Sequence, residues 1–294
     1  MRIANNSIFH AVVRNLMRNQ ERFLKLEEAI ASGRRVDRLS TDPPAVIRIL
    51  GLRTTIASLE QFQRTIERAT SWLSLSEVSL TQVEDVLMRA KELAVAQASG
   101  TANAETRAAA AKEVDILRQQ VIQAGNAQFG TQFLFAGRKT NVAPFLSDGT
   151  YQGDSGSIDV EIGQGHWVTL NIPGDVAFTG VRGGVDILNA LQAFKKALET
   201  DDQPGIQAQL DLLDRSLNQV VRARAEVGAN MGRLATEKEK LLEVSGHLTQ
   251  MLGETEGADL AKTISDLTQQ QSIYQASLAA SARAIQPTLL DFLR

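Results

Sequence analysis

Apolar residues recur at spacings of three and four near both ends of the chain and alternate with polar ones only around its middle. From about residue 7 to 31 the row is Phe9, Val12, Leu16, Phe23, Leu26 and Ile30, with Asn19 its one polar member. That is a heptad stripe, and it predicts a helix with a narrow apolar seam. Ser32-Gly33 closes it. Ser40-Thr41-Asp42-Pro43-Pro44 reads as the next start, a polar cap followed by prolines that tolerate a first helical turn. A long helix is expected over about 44–99, and another to about 127, with Asn103 as its cap. Residues 157–162 and 167–172 alternate polar and apolar around Gly163-Gln164-Gly165, which predicts a β-hairpin. Helix returns over about 185–199 and about 206–252. The last segment, 258–293, carries Leu260, Ile264, Leu267, Gln271, Tyr274, Leu278, Ser281, Ile285, Thr288 and Phe292 in one row, spaced four and three throughout. Polar members of such a row set register and oligomeric state at some cost in stability.

The expected fold is mainly α: a long helical bundle or coiled coil formed by the N- and C-terminal helices, with a small β-rich insert at mid-chain. Glycine marks the divisions, because three of the 21 precede residue 125, twelve lie from Gly125 to Gly184, and six follow. Aromatic residues make up only 5% of the chain, which suits thin helical layers better than a thick core with deep pockets. The two terminal stripes fit two surface helices of one bundle. They equally fit an antiparallel pair whose remaining surface binds neighbouring copies. Periodicity does not separate these readings.

Charge and candidate chemistry narrow the function. A net charge of -3 argues against nucleic acid as a partner. The chain has no cysteine, which excludes disulfides, thiolate metal sites and a cysteine nucleophile. Residues 267–282 are too polar for membrane insertion, and the N-terminus lacks the apolar stretch of a cleavable secretory signal. Gly153-Asp154-Ser155-Gly156 matches the string around a serine-protease nucleophile, but the small β-insert reads it as a hairpin loop. His10, His166 and His247 are too scattered for a metal site, so no metal or cofactor is expected. Arg34, Arg35, Arg38, Arg48 and Arg53 could gather phosphate or pair with acids. Trp72 reads as core.

Several stretches together carry a family resemblance. They are Met1-Arg2-Ile3; Ala31-Ser32-Gly33-Arg34-Arg35-Val36 with Ser40-Thr41-Asp42-Pro43; Phe135-Ala136-Gly137, Pro144-Phe145 and Tyr151-Gln152-Gly153-Asp154; and the tail from Tyr274-Gln275-Ala276-Ser277-Leu278 to Leu289-Leu290-Asp291-Phe292-Leu293. In order and position they resemble the flagellin superfamily and, within it, the hook–filament junction proteins. Thr41, where that pattern has Asp, and the second proline, Pro44, depart from it. The resemblance implies a non-enzymatic structural component of the bacterial flagellum without cofactors. Residues 1–35 with 258–294 would form an inner coiled-coil domain, 36–140 with 185–257 a helical rod, and 141–184 an outer β-rich insert. It further implies export by the flagellar type III route, a chaperone at the C-terminal region, and self-association in a junction ring. The ring would sit between the first hook–filament junction protein and flagellin. The assembly seams would be Phe9, Val12, Leu16, Phe23, Leu26 and Ile30 with Leu260, Ile264, Leu267, Tyr274, Leu278, Ile285 and Phe292. Competing expectations are a flagellin filament subunit and a helical signalling scaffold.

Overall fold

The computed structural model describes residues 2–35, 42–99, 102–181 and 183–285, with the backbone alone for 2–9 and 283–285. The elements are α1 (Arg2–Ser32), α2 (Pro43–Ala98), α3 (Ala104–Gly125), β1 (Gln128–Phe129), β2 (Gln132–Phe133), β3 (Asp159–Gly163), β4 (His166–Thr169), α4 (Gly174–Ala177), α5 (Ile187–Glu199), α6 (Gln203–Glu256) and α7 (Leu260–Ile285). They divide into two compact units, residues 1–58 with 244–294 and residues 59–243. The expected fold class is therefore observed: mainly helical, terminal helices packed together, and a small β insert at mid-chain.

Strict heptads build the larger unit. On α2 the buried residues Ile66, Leu73, Leu80, Leu87 and Ala94 recur every seven positions, with Ala69, Ser76, Val83 and Ala90 as the second row. On α6 the buried row is Ile206, Leu213, Val220, Val227, Leu234 and Leu241. A sevenfold repeat keeps one seam facing a partner helix over many turns. Small seam residues let the backbones approach. The hydroxyls of Ser76 and Ser216 bond back to Trp72 and Leu212 carbonyls, so neither is left unsatisfied. Ion pairs flank the seam in antiparallel order: Lys238–Glu67 at 3.0 Å, Arg224–Glu77 at 2.6 Å, Arg224 with Glu84, and Lys91–Asp214 at 2.5 Å. Trp72 is buried as expected, with its ring edge-on to Phe129 at 5.9 Å.

Local signals set the helix ends. Asn103 accepts from the Thr106 amide at 2.8 Å while the Thr106 hydroxyl accepts from the Asn103 amide at 3.2 Å, a reciprocal cap. Asp42, Asp186, Asp202 and Asp259 likewise accept from amides at the starts of α2, α5, α6 and α7. Arg107, buried in the first turn of α3, donates to Asp201 and to the carbonyls of Gln97 (3.2 Å) and Ser99 (3.4 Å). One guanidinium thus ties the end of α2 to the α5–α6 turn. Arg107→Ala removes a charged donor from three acceptors at once. It should lower the urea-unfolding free energy by about 2–3 kcal/mol. A midpoint equal to wild type would show that these bonds are replaced by water at no cost.

Between α3 and α5 the chain is held by loops. β3 pairs antiparallel with β4 in the register Asp159–Thr169, Val160–Val168 and Glu161–Trp167. The ladder is shorter than the alternation predicts, because the Asn171 side chain takes over at its end. Its oxygen accepts from the Ile158 amide (2.7 Å) and its nitrogen donates to the Gly156 carbonyl (3.0 Å). The two-residue strands β1 and β2 and the four-residue α4 were not expected. Buried Gln219 fastens this region to α6, accepting from the Val185 amide (2.8 Å) and donating to the carbonyls of Ala177 (3.0 Å) and Val185 (3.1 Å).

Candidate assembly surface

In the smaller unit α1 packs antiparallel on α7. Val12, Leu16, Phe23, Leu26 and Ile30 are half-buried, along with Asn19, in one row. The α7 row that is turned inward is Thr263, Leu267, Gln270, Tyr274, Ser277 and Ser281. Phe23 and Tyr274 stack with centroids 6.4 Å apart and planes 19° from parallel. The Asn19 amide donates to Ser277 Oγ at 2.9 Å, and buried Gln270 donates to the Asn19 carbonyl at 3.1 Å. The polar residue in the first stripe therefore meets polar partners, which satisfies groups that a fully apolar seam would strand.

Among the expected seam residues, Leu267 and Tyr274 lie in this inward row, whereas Leu260 (48% exposed), Ile264 (52%) and Leu278 (43%) stand outward beside it. Gln271 is also exposed. Phe9 and Ile285 lie on helical backbone but their side chains, like all of Phe292, are outside the described residues. On α1, Met17 and Leu24 are exposed as well. The smaller unit thus carries an internal seam and a set of outward apolar residues on both helices. Thr263, Gln270 and Ser277 went unrecognised in the sequence. Asn19 was the available signal, since a polar seam residue calls for a polar partner.

Three members of the arginine cluster form ion pairs, Arg48 is exposed, and Arg38 lies outside the described residues. Arg34 and Arg53 both meet the carboxylate of Glu256, Arg53 at 2.8 Å to each oxygen, and Arg35 lies 3.8 Å from Asp42. The Gly153-Asp154-Ser155-Gly156 string is a structural turn. Asp154 accepts from the amides of Arg138 (2.8 Å) and Gly156 (2.9 Å), which hold its carboxyl below the usual range. Tyr151 donates to the carbonyls of Phe135 (2.9 Å) and Asp154 (3.0 Å), and burial, aided by the charge of Asp175, pushes its phenol well up. The Ser155 hydroxyl donates to buried Asp175 and has no imidazole base on it, while His166 faces Glu237 at 3.3 Å. A nucleophile needs the reverse arrangement, a base that takes the hydroxyl proton. Ser155→Ala should therefore cost roughly 1–2 kcal/mol in urea unfolding, by stripping Asp175 of its donor. An unchanged stability would mean that this bond contributes nothing.

Among the described residues no group of three His, Asp or Glu could hold a metal ion, and no helix is long and apolar enough to cross a membrane. Residues 3–140 match the bacterial flagellin N-terminal helical region, and residues 210–293 the flagellin C-terminal helical region. Flagellar hook-associated protein 3 of Escherichia coli (strain K12) is 27% identical over 303 aligned positions, covering 95% of this chain and 96% of that protein. Flagellin of Bacillus subtilis (strain 168) is 27% identical over 315 positions, covering both chains in full. A solved structure from Vibrio parahaemolyticus, ascribed to a flagellar hook-associated protein, superposes with a TM-score of 0.69 at 24% identity, covering 74% of this chain and 100% of that one. Matches at both ends of the chain, joined by one shared fold, place this chain in the flagellin family of non-enzymatic structural proteins.

Proposed function

We propose that this chain is the structural subunit that joins the flagellar hook to its filament. It assembles on the first hook–filament junction protein, forms a ring with copies of itself, and receives flagellin. The observation that carries the reading is the arrangement of the smaller unit. One row of each terminal helix closes the α1–α7 seam, and Leu260, Ile264 and Leu278 are left outward with Met17 and Leu24. Outward apolar residues along a helix pair are what a subunit can bury against neighbours. The likeness to hook-associated protein 3 supports the junction over the filament itself. The full-length likeness to a flagellin favours the second reading, a filament subunit, because the terminal helices serve both. Export proceeds by the flagellar type III route, with a chaperone covering the C-terminal region before assembly.

Immunogold electron microscopy of intact flagella, with an antibody against this chain, separates the readings. A single labelled band between hook and filament is expected. Label along the whole filament would make it a flagellin, and unlabelled flagella would overturn both.

A further inference from the structure

The inward face of α7 is not the one that its apolar residues favour. Leu260, Ile264 and Leu278 lie in a row with Gln271, and turning α7 by about 50°, half the angle between successive helical residues, would bring that row onto α1. The observed inward row has Thr263, Gln270 and Ser277 in place of Ile264, Gln271 and Leu278, while Leu267, Tyr274 and Ser281 belong to both. Hydrophobic burial would select the other facing, so polar contacts must hold this one: the Asn19–Ser277 and Gln270–Asn19 bonds within the seam, and a further contact outside it.

That contact lies where the two linkers meet. Glu256 ends α6, its side chain is nearly buried, and Arg34 and Arg53 converge on its carboxylate, one from the α1–α2 linker and one from α2. Its carbonyl accepts from the Arg35 amide at 2.8 Å, and the Ala258 amide donates to the Gly33 carbonyl at 2.9 Å. Gly33, at φ +68°, supplies the left-handed turn that aims its carbonyl there. Arg35 adds a bond to the Thr255 carbonyl at 3.3 Å. Leu260, the first residue of α7, follows within four positions of Glu256. Each helical residue turns the side-chain direction by a fixed angle, so anchoring the chain at 256–258 sets which face of α7 meets α1.

We infer that Glu256 is a positioning residue: its carboxylate, clamped between Arg34 and Arg53, turns the polar row of α7 toward α1 and so presents Leu260, Ile264 and Leu278 outward. This deepens the assembly reading and rests on it for the use made of the outward row. The facing itself belongs to the single chain and is tested there, so either can fail without the other.

The chain has no cysteine, which makes engineered cross-links unambiguous. Two full-length variants report the two facings: Asn19→Cys with Ser277→Cys for the observed one, and Asn19→Cys with Leu278→Cys for the turned one. Both also delete the Asn19–Ser277 hydrogen bond, which leaves the clamp and the Gln270 bond to the residue-19 carbonyl to hold the facing. With Glu256 in place the 19–277 pair should oxidise faster. Glu256→Gln, which keeps the shape and removes the charge, should lower the ratio of 19–277 to 19–278 cross-linking roughly tenfold. Glu256→Asp, which keeps the charge, should restore most of it, a rescue that side-chain size alone would not give. A ratio unchanged in Glu256→Gln overturns the inference, as does equal loss in Glu256→Asp. Failure of the 19–277 pair to close with Glu256 in place overturns it too.

Discussion

Leu278→Asp is expected to leave the α1–α7 pair folded and to stop the chain from entering the flagellum. Leu278 is outward in the single chain, so a charge there meets water and should change stability by no more than about 0.5 kcal/mol. In the assembly proposed above the same position is covered by a neighbouring subunit. A carboxylate buried there without a partner costs about 3 kcal/mol or more, which is roughly a hundredfold in affinity for each contact. Leu267→Asp provides the contrast. Leu267 lies in the internal seam, so its replacement should loosen the helix pair itself and be visible as lost helical content at 222 nm. Sheared flagella, probed for this chain, give the incorporation readout. If Leu278→Asp entered flagella at the wild-type level while Leu267→Asp did not, the outward row would have no part in assembly, and the function would rest on the internal seam alone.

Elements whose residues repeat locally could be read from the sequence. Long helices follow from spacings of three and four, and the β3–β4 hairpin from alternation around Gly163-Gln164-Gly165, because each pattern spans enough residues to define a period. β1 and β2, of two residues each, and α4, of four, are too short to show one. Their places are set by single loop contacts and not by a repeat, as when the Leu134 amide donates to the Ala127 carbonyl at 3.0 Å and, from further along the chain, the Gly174 amide to the Phe135 carbonyl at 2.7 Å. The candidate surface was legible to a similar depth. Periodicity found the α1 row and put Leu267 and Tyr274 in the α7 row. It could not choose between Ile264 and Thr263, Gln271 and Gln270, or Leu278 and Ser277, because both rows keep heptad spacing and counting apolar residues prefers the first of each pair. The facing depends on hydrogen bonds such as Asn19 to Ser277 and on the Glu256 clamp. Those join residues more than 200 positions apart, which no local pattern records.

The mid-chain loops depend most on one ring. Phe178 is fully buried and meets Phe135 edge-on at 5.1 Å and Phe145 at 5.2 Å, and Phe145 in turn packs against Tyr151 at 5.2 Å. Its carbonyl also accepts from the Ile187 amide at 2.9 Å, so α5 starts from the same point. Phe178→Ala would remove two ring contacts and leave a cavity that loops pinned by Tyr151, Asn171 and Gln219 are poorly able to fill. A loss of about 4 kcal/mol in urea unfolding is expected, the largest of any single change considered. Phe178→Leu should recover more than half of it by refilling the space. The α2–α6 heptads do not include this ring, so the amides of Asp154, Gly174 and Ile187 should lose hydrogen-exchange protection before those of Leu80 or Val220 do. A loss below about 1 kcal/mol, or equal deprotection of loops and heptad helices, would mean that the loops are held by the helices beneath them and not by their own aromatic cluster.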